Sequence, residues 1–532
     1  MNIRLTGSFY TPSVISDFIC KIILSRIEVD SVKVLEPSAG DGSFVFSMEK
    51  MNAEQCKKLS ITAVDIDGNE LSKISVLDKN ISLKIVKSDF LSYQSNDNEK
   101  YDLIIGNPPY IKRSLLSDFQ INLCNELNKE FDLDNKTIKN IWPSFLLSSI
   151  KLLSDKGIFA FVLPAEILQV KYAQPIREIL TKCFDRVEII TFNELLFKAC
   201  KGQDTVIVIG ERVTKNKNRH GVYFYNVNDV HSLNSVEPSF EKHNVDSNLK
   251  WTSHILNSEE LDFLQLLVKE IPIMSDVCTS KTGIVSAANN FFIIPEELKL
   301  FLDVPDILFK PIIQKSSFLK KDIIVDDIFF SELVSKGMNC YLLDLNGVEI
   351  NAYPRLMDYI KKGELDKLNL RYKMLNRDIW YNIPHIGFPA PLLFFKRSHL
   401  YPRLIKNDAL IYATDSAYYV TPKASFSENG IVSSFYNSLT LIMAEIQGRY
   451  YGGGVLELTP NEFKSLPIPY LEANASELYL LNKMFSDNLN IEEICSYNDK
   501  RLLVKYFPNL SDNDYDRLGL IRKKLVDRRH KL

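Results

Sequence analysis

Residues 32–44 read VKVLEPSAGDGSF, and this stretch decides the fold of the chain. Its first four residues form a short apolar strand pattern, Gly40 and Gly42 mark a turn, and a helical pattern begins near Phe44. A strand, a glycine turn and a helix in this order form the first unit of a nucleotide-binding α/β fold, where glycine lets the backbone approach a ligand closely. The stretch therefore predicts a Rossmann-like α/β domain.

Two further strand patterns end in acidic residues. Residues 61–64 lead to Asp65-Ile66-Asp67, and residues 82–86 lead to Asp89. Asp65 lies near the offset of about 20 residues at which such folds place a carboxylate on ribose hydroxyls, and Asp89 would accept from the adenine amine of the same ligand. Each acid taken alone is typical of a solvated turn. Because the complete GxGxxG pattern is missing, S-adenosyl-L-methionine fits this site at least as well as a dinucleotide.

A fourth strand pattern, residues 102–106, stops at Asn107-Pro108-Pro109-Tyr110. Consecutive prolines fix φ and remove two backbone donors, so the turn is stiff and its carbonyls can accept hydrogen bonds. The Asn107 side-chain oxygen and the Pro108 carbonyl would each accept one N–H of an exocyclic amine, which favours the pyramidal nitrogen that attacks a methyl group. Tyr110 would stack on an extruded base. The alternative is an ordinary loop, since Asn-Pro is a common turn signal.

The rest of the first half continues the α/β pattern. A helix is predicted over residues 13–23, after Pro12, and another over residues 141–153. A strand pattern covers residues 157–163, and two final strands are predicted over 187–190 and 205–209. The turn between these last two strands carries Phe197, which is a second aromatic contact for a base unless it is an ordinary core phenylalanine.

The composition bounds the class of protein. The chain has 532 residues, of which 45% are hydrophobic and 25% charged, as is typical of a globular protein of two or more domains. The net charge of −3 excludes a global basic field, so a nucleic-acid partner requires a local basic patch. The eight cysteines form no C-x-x-C pair, and we find neither a signal core nor an apolar run long enough to span a membrane. These features predict a soluble, cytoplasmic protein with no metal site and no membrane partner.

Together the motifs resemble the gamma-class amino-methyltransferases of DNA, similar to the Taq-type adenine-N6 modification enzymes. The matching motifs occur in the order of that family: Tyr10-Thr11-Pro12, Leu35-Glu36-Pro37-Ser38-Ala39-Gly40, Val64-Asp65, Asp89, Asn107-Pro108-Pro109-Tyr110 and the loop around Phe197. The resemblance implies an S-adenosyl-L-methionine pocket lined by Thr11, Glu36, Ala39, Asp65, Ile66, Asp89 and Pro109, together with Gly40 of the glycine turn. It also implies that Asn107 and Pro108 hold the target amine, and that Tyr110 and Phe197 enclose the flipped adenine. The acid after the second strand is Asp65, where glutamate is frequent in the family.

The second half carries two marks that resemble the family's target-recognition domain. Residues 283–292 look like its opening, and residues 448–469, with a glycine cluster between aromatics, look like its close. Between them, residues 371–381 and 391–407 mix basic and aromatic side chains, which suits contact with phosphates and bases. We therefore divide the chain into a catalytic methyltransferase domain (1–245), a mixed α+β target-recognition domain (246–475) and a helical C-terminal extension (476–532).

These expectations define one function and three alternatives. The chain is expected to transfer methyl from S-adenosyl-L-methionine to N6 of a flipped adenine in double-stranded DNA, as the modification component of a restriction-modification system. It is expected to be a monomer, with cleavage left to a separate cognate restriction endonuclease. The alternatives are a protein glutamine-amide methyltransferase, a cytosine-N4 methyltransferase and a catalytically idle DNA-binding subunit. The long second domain weighs against the amide acceptor, and Asn107 weighs against cytosine, for which serine is usual at this position.

Overall fold

The computed structural model describes residues 11–96, 99–135, 139–192, 204–212, 219–227, 230, 233, 238–243, 250–319, 322–451 and 453–530. The chain divides into two compact units. The first consists mainly of residues up to Ser258, and the second contains most of the residues from Glu259 to Arg529.

Nine strands of the first unit form one sheet within the described chain. Their bounds are β1 (Ser31–Glu36), β2 (Lys58–Asp65), β3 (Ile81–Lys87), β4 (Tyr101–Gly106), β5 (Leu153–Pro164), β6 (Arg186–Phe192), β7 (Thr205–Glu211), β8 (Gly221–Val227) and β9 (Glu241–His243). They are ordered β3-β2-β1-β4-β5-β7-β6-β8-β9, and every neighbouring pair from β3 to β5 is parallel. Strand β7 is antiparallel to both its neighbours. This is a doubly wound order with one antiparallel strand inserted, and the predicted Rossmann-like α/β class is confirmed.

The prediction that residues 187–190 and 205–209 are the final strands is wrong in one respect. Both strands form, but β8 and β9 follow them and extend the sheet. Strand β9 is a three-residue edge strand, Glu-Lys-His, without an apolar pattern. Short, charged edge strands are common because they protect a sheet from unwanted pairing, and they leave little trace in a sequence.

Helices of the first unit are α1 (Ser13–Arg26), α2 (Ser43–Gln55), α3 (Gly68–Leu71), α4 (Phe90–Asn96), α5 (Asp118–Glu130), α6 (Trp142–Leu152), α7 (Glu166–Gln169) and α8 (Gln174–Cys183). The sheet has an apolar core on each face. Phe159 and Phe161 of β5 pack in one core with Trp142, whereas Ala160 and Val162 pack in the other. Burial on both faces explains why β5 is continuously apolar from Ile158 to Leu163.

The second unit is a mixed α+β structure, as predicted. Its strands are β10 (Cys278–Thr282), β11 (Ile293–Ile294), β12 (Phe309–Ile313), β13 (Ile324–Val325), β14 (Tyr341–Leu343), β15 (Leu392–Phe395), β16 (Arg397–Ser398), β17 (Arg403–Asn407), β18 (Tyr412–Ala413), β19 (Ala417–Pro422), β20 (Arg449–Tyr451) and β21 (Val455–Glu457). They form sheets of five strands (β10-β19-β15-β17-β13), four strands (β11-β14-β12-β18) and three strands (β16-β21-β20).

The helices that accompany these sheets are α9 (Ser258–Lys269), α10 (Met274–Val277), α11 (Asn289–Phe292), α12 (Glu296–Leu302), α13 (Asp327–Ser335), α14 (Pro354–Leu365), α15 (Tyr372–Leu375), α16 (Glu428–Phe435), α17 (Ser438–Gln447), α18 (Pro460–Lys464), α19 (Ala475–Ser486), α20 (Ile491–Leu503) and α21 (Asp512–His530). A buried ion pair anchors α21, because Arg529 Nε lies 2.8 Å from Glu445 Oε2 and both side chains are almost fully buried. None of the helices in the described ranges is long and apolar enough to cross a bilayer.

Candidate active site

The order of the sheet reverses at β1 and β4. These strands pair directly, although β2 and β3 lie between them in sequence. In doubly wound sheets, ligands bind outside the carboxyl ends of the strands at such a reversal. Strand β1 ends at Glu36 and β4 ends at Gly106. The glycine turn and the Asn-Pro-Pro-Tyr turn therefore border the same crevice.

The turn after β1 requires glycine at two positions. Gly40 and Gly42 have φ angles of 53° and 84°, in the left-handed region that residues with a Cβ rarely adopt. A Cβ on Gly42 would also lie 2.9 Å from the Ile74 side chain. The Ala39 N–H donates to the Val64 carbonyl at 3.0 Å and ties the turn to the end of β2. The two glycines therefore place backbone without side chains at the crevice.

Asp65, the predicted ribose ligand, holds this turn in place. Its Oδ2 accepts the Gly40 N–H at 2.8 Å, and its Oδ1 accepts the Asp67 N–H at 2.8 Å. A carboxylate can accept roughly four hydrogen bonds, so these two contacts leave capacity for a pair of hydroxyls.

Glu36 is the most deeply buried of the predicted cofactor residues. Its side chain is 1% exposed, and within the described chain its Oε2 has no hydrogen-bond partner. Burial, with the nearby charges of Asp41 and Asp65, raises the pKa of Glu36 well above its usual range. Because a buried unpaired carboxylate is costly, this position suits a cationic or hydrogen-bond-donating ligand.

Asn107 is held by two other predicted site residues. Its Nδ2 donates to Thr11 Oγ1 at 3.2 Å, and its Oδ1 accepts from the Tyr110 hydroxyl at 3.0 Å. These contacts orient the amide, with its nitrogen toward Thr11 and its oxygen toward Tyr110. The Tyr110 hydroxyl also lies 3.0 Å from the Val162 carbonyl. A hydroxyl group has one proton and donates well to one acceptor at a time. The Tyr110 hydroxyl can therefore donate to the Val162 carbonyl alone, which leaves the Asn107 oxygen able to accept from another donor.

The Pro108 carbonyl is the second acceptor in this turn. No donor in the described part of the chain makes a hydrogen bond to it. Asn107 Oδ1 and the Pro108 carbonyl belong to adjacent residues of a stiff turn, so they can accept two N–H groups from one amine. Pro109, the next residue, is half-buried.

Ser38 is a residue that the sequence prediction did not assign to the site. Its hydroxyl donates to the Asn107 carbonyl at 3.0 Å, across a separation of 69 residues. This bond joins the turn after β1 to the turn after β4. A hydroxyl between Pro37 and Ala39 was the only signal in the sequence, and its partner was not predictable from it.

Asp89 and Ile66 follow the ends of β3 and β2. Asp89 Oδ1 accepts the Leu91 N–H at 2.9 Å at the start of α4, and its Oδ2 accepts from Gln120 Nε2 at 2.9 Å. Gln120 was not predicted from the sequence. Ile66 is 66% exposed, so it offers an apolar contact for a ring at this end of the sheet.

Two aromatic residues, Tyr110 and Phe197, are the predicted contacts for a base. Tyr110 is 9% exposed and packs in the core with Trp142. Phe197, the second predicted contact, and Tyr10 of the Tyr-Thr-Pro motif lie outside the described residues. The role of Phe197 therefore stays a prediction.

Comparison with known proteins adds independent evidence. Residues 2–271 match the N-6 DNA Methylase family model, and residues 248–503 match the C-terminal domain of the type II methyltransferase M.Eco57I. The type II methyltransferase M.AccI of Acinetobacter calcoaceticus is 26% identical, over 94% of this chain and 93% of its own length. M.HindII of Haemophilus influenzae is 23% identical, over 92% of this chain and 97% of its own length.

Among solved structures, the type IIL restriction-modification enzyme MmeI in complex with DNA shares the fold. The TM-score is 0.63 at 12% identity, and the similarity covers 97% of this chain and 76% of MmeI. The N-6 DNA Methylase match extends over half of the sequence and includes both turns of the crevice. The chain therefore belongs to the N-6 DNA methylase family.

Proposed function

We propose that this chain methylates N6 of adenine at a specific sequence in double-stranded DNA, as the modification enzyme of a restriction-modification system. One observation carries the proposal: Asn107, oriented by Thr11 and Tyr110, lies beside the glycine turn where the sheet order reverses. The names of its relatives, type II methyltransferases, support the reaction. The DNA in the MmeI structure supports the class of substrate.

S-adenosyl-L-methionine is the proposed methyl donor, and when bound it supplies an electrophilic methyl group. The unpaired Glu36 oxygen suits the ammonium of its amino-acid part, and the remaining acceptor capacity of Asp65 suits its ribose hydroxyls. Exposed Ile66 and the carboxylate of Asp89 suit its adenine. The remaining pocket residues in this proposal are Thr11, Ala39, Gly40 and Pro109.

The residues of the chain act on the target amine. Asn107 Oδ1 and the Pro108 carbonyl would accept its two N–H groups, which would hold the nitrogen pyramidal with its lone pair available for attack. S-adenosyl-L-methionine would supply the methyl group and keep the bonding electron pair on its sulfur, and the amine held by Asn107 and Pro108 would lose one proton to solvent. Positioning and hydrogen bonding suffice, and no strong base in the turn is required.

The flipped adenine would stack on Tyr110, with Phe197 as the opposite contact. Because Tyr110 is only 9% exposed, the entering base must displace the side chains that cover its ring. Stacking of a base on an aromatic side chain contributes about 1–3 kcal/mol, which is enough to offset much of the cost of extrusion.

The second part of the chain is proposed to select the sequence. We assign target recognition to residues 246–475, with residues 476–532 as a helical extension of the same domain. The match of residues 248–503 to the C-terminal domain of M.Eco57I supports this assignment. A monomer that relies on a separate cognate restriction endonuclease for cleavage is the simplest arrangement of these domains.

Methylation in a host free of DNA methylation tests the proposal. Single-molecule sequencing of DNA from cells expressing the wild-type chain should reveal one recurrent motif carrying N6-methyladenine. Asn107→Ala should abolish this modification while the purified variant still binds S-adenosyl-L-methionine. Asn80→Ala is the matched control, because Asn80 is exposed and directly precedes β3, at the amino end of that strand.

Two results would contradict the proposal. Wild-type methylation by Asn107→Ala would exclude the amine-holding role. Unmodified DNA from cells expressing a wild-type protein that binds S-adenosyl-L-methionine would favour the glutamine-amide acceptor or an idle DNA-binding subunit.

A further inference from the structure

The second unit contains a cavity of about 790 Å³. One wall is the segment 285–291, which includes Asn289 and Asn290, and the other is formed by helices α14 and α15 with the turn between them. Asp415 also lines it. The volume is in the range of small-ligand sites. The cavity therefore has room for a group larger than a few water molecules.

The floor of the cavity is a rigid aromatic layer. Phe291 and Tyr359 stack with their ring centroids 4.6 Å apart and their planes at 12°, and the Tyr359 hydroxyl donates to the Phe291 carbonyl at 2.7 Å. Gly363 of α14 has no room for a side chain, since a Cβ there would lie 2.7 Å from Trp380 and 2.8 Å from Phe291. Close packing against a glycine holds the two walls together, so the cavity is preformed.

Three cationic side chains stand at the rim. Lys362, Arg371 and Lys373 all line the cavity and are exposed, and none of them forms an ion pair within the described chain. Lys361, one residue before Lys362, does pair, with Asp358 at 3.5 Å. Arg371 Nη1 donates to the Ala287 carbonyl at 3.4 Å, but no carboxylate in the described chain neutralises it. Exposed cations that line a cavity without a carboxylate partner suit an anionic ligand, and Lys and Arg are the usual ligands of phosphate.

The lining also carries two polar side chains that suit a base edge, the exposed Asn290 and the half-buried Asp415. The side chains of Asn290 and Asp415 line the cavity and make no hydrogen bond in the described part of the chain. The backbone at Asp415 is fixed, because its N–H donates to the Ile284 carbonyl at 2.9 Å. Asparagine pairs well with adenine, and aspartate accepts from the amino group of cytosine.

We propose that this cavity binds one nucleotide step of the recognition sequence. Lys362, Arg371 and Lys373 contact its phosphate. Asn290 and Asp415 contact the edge of its base. The proposal rests on the proposed function in one respect, namely that the ligand is DNA. The cations suit contact with phosphate, whereas the polar side chains of the lining, which form no hydrogen bond in the described chain, suit sequence readout. The cavity performs both on adjacent parts of the same strand.

The phosphate contacts are tested by the salt dependence of DNA binding. The probe is a duplex carrying the motif found by sequencing, and its affinity for the full chain is measured by fluorescence anisotropy across a salt series. Each lost phosphate contact makes the slope of log K against log salt shallower by about 0.9, so Lys362→Ala/Lys373→Ala should change it by about 1.8. Lys361→Ala, on the same helix but paired with Asp358, should leave the slope unchanged.

The base contacts are tested by the methylated motif itself. Asn290→Ala and Asp415→Asn should relax or change one position of that motif when methylated DNA from a methylation-free host is sequenced. Unfolding temperature and S-adenosyl-L-methionine binding of each variant report whether it is folded. Two results would overturn the assignment. One is a folded Lys362→Ala/Lys373→Ala variant with a wild-type salt slope, and the other is an unchanged motif in both Asn290→Ala and Asp415→Asn.

The failure of this inference is distinguishable from the failure of the proposed function. If the wild-type chain methylates a motif and the cavity variants behave as wild type, the cavity alone is wrongly assigned. If the wild-type chain neither binds nor methylates DNA, the proposed function fails first and the cavity proposal fails with it.

Discussion

Replacing Thr11 by valine removes one hydrogen bond from the Asn107 amide and leaves the volume at that position almost unchanged. Asn107 Nδ2 donates to Thr11 Oγ1 at 3.2 Å, and Thr11 is 6% exposed, so water has little access to replace it. A neutral hydrogen bond of this kind contributes about 0.5–1.5 kcal/mol net, which corresponds to about a 2- to 13-fold change in rate. If the bond orients the amide for the target amine, Thr11→Val should slow methyl transfer by that factor.

The assay is single-turnover transfer of a tritiated methyl group from S-adenosyl-L-methionine to a duplex carrying the motif. Thr11→Ser is the matched control, because it keeps the hydroxyl and should keep a rate close to wild type. Calorimetric titration with the cofactor separates a binding effect from an effect on the chemical step. A wild-type rate for Thr11→Val, or a rate for Thr11→Ser as low as that of Thr11→Val, would refute the reasoning.

Four further predictions concern stability, cofactor affinity and pH. Burial, with two nearby acids, raises the pKa of Glu36, so between its unfolded pKa of about 4.3 and its raised folded value the folded state binds more protons. The ligand-free protein should therefore lose stability as pH rises through this window, and chemical denaturation of Glu36→Gln should show a weaker loss. Over the same window, the affinity of the wild type for S-adenosyl-L-methionine, measured by calorimetry, should increase with pH, because the ionised Glu36 binds the ammonium. Gly42→Ala, at φ 84° and with a Cβ 2.9 Å from Ile74, should lower the free energy of unfolding by about 1–2 kcal/mol or more, and an unchanged unfolding midpoint would contradict the strain. Arg529→Met leaves Glu445 buried without its partner and should cost about 3–5 kcal/mol, whereas Arg529→Met/Glu445→Met should recover much of that loss in the same denaturation experiment.

Local sequence patterns were sufficient to predict most strands and helices of the first unit. Strands β1, β2, β4 and β5 are largely apolar because both faces of the sheet are covered there, and an apolar run bounded by turn residues is recognisable without a partner. Strands β8 and β9 were not predicted. Strand β9 is short and polar, and it exists because β8 offers it hydrogen bonds. Such a strand forms because a neighbouring strand pairs with it, so the periodicity of its own sequence does not predict it.

The residues of the site show the same difference between what a local pattern predicts and what depends on tertiary contacts. The residue types at the glycine turn and at the Asn-Pro-Pro-Tyr turn indicated a ligand crevice, since glycine and proline impose their backbone conformations wherever they occur. The partners of those residues were not apparent. Gln120 on Asp89 and Ser38 on the Asn107 carbonyl are ordinary polar residues whose roles arise only from proximity.

The sequence by itself determined the Rossmann-like class, the two turns that border the crevice and the residue types that suit amine methylation, because local backbone preference and apolar periodicity act over a few residues. Only the tertiary structure decided which groups meet. Thr11 reaches Asn107 across 96 residues, and the cavity of the second unit joins residues 285–291 to α14 and α15. Such contacts are fixed by strand order and by packing between distant segments, whose free energies depend on the whole core and not on any one stretch of chain.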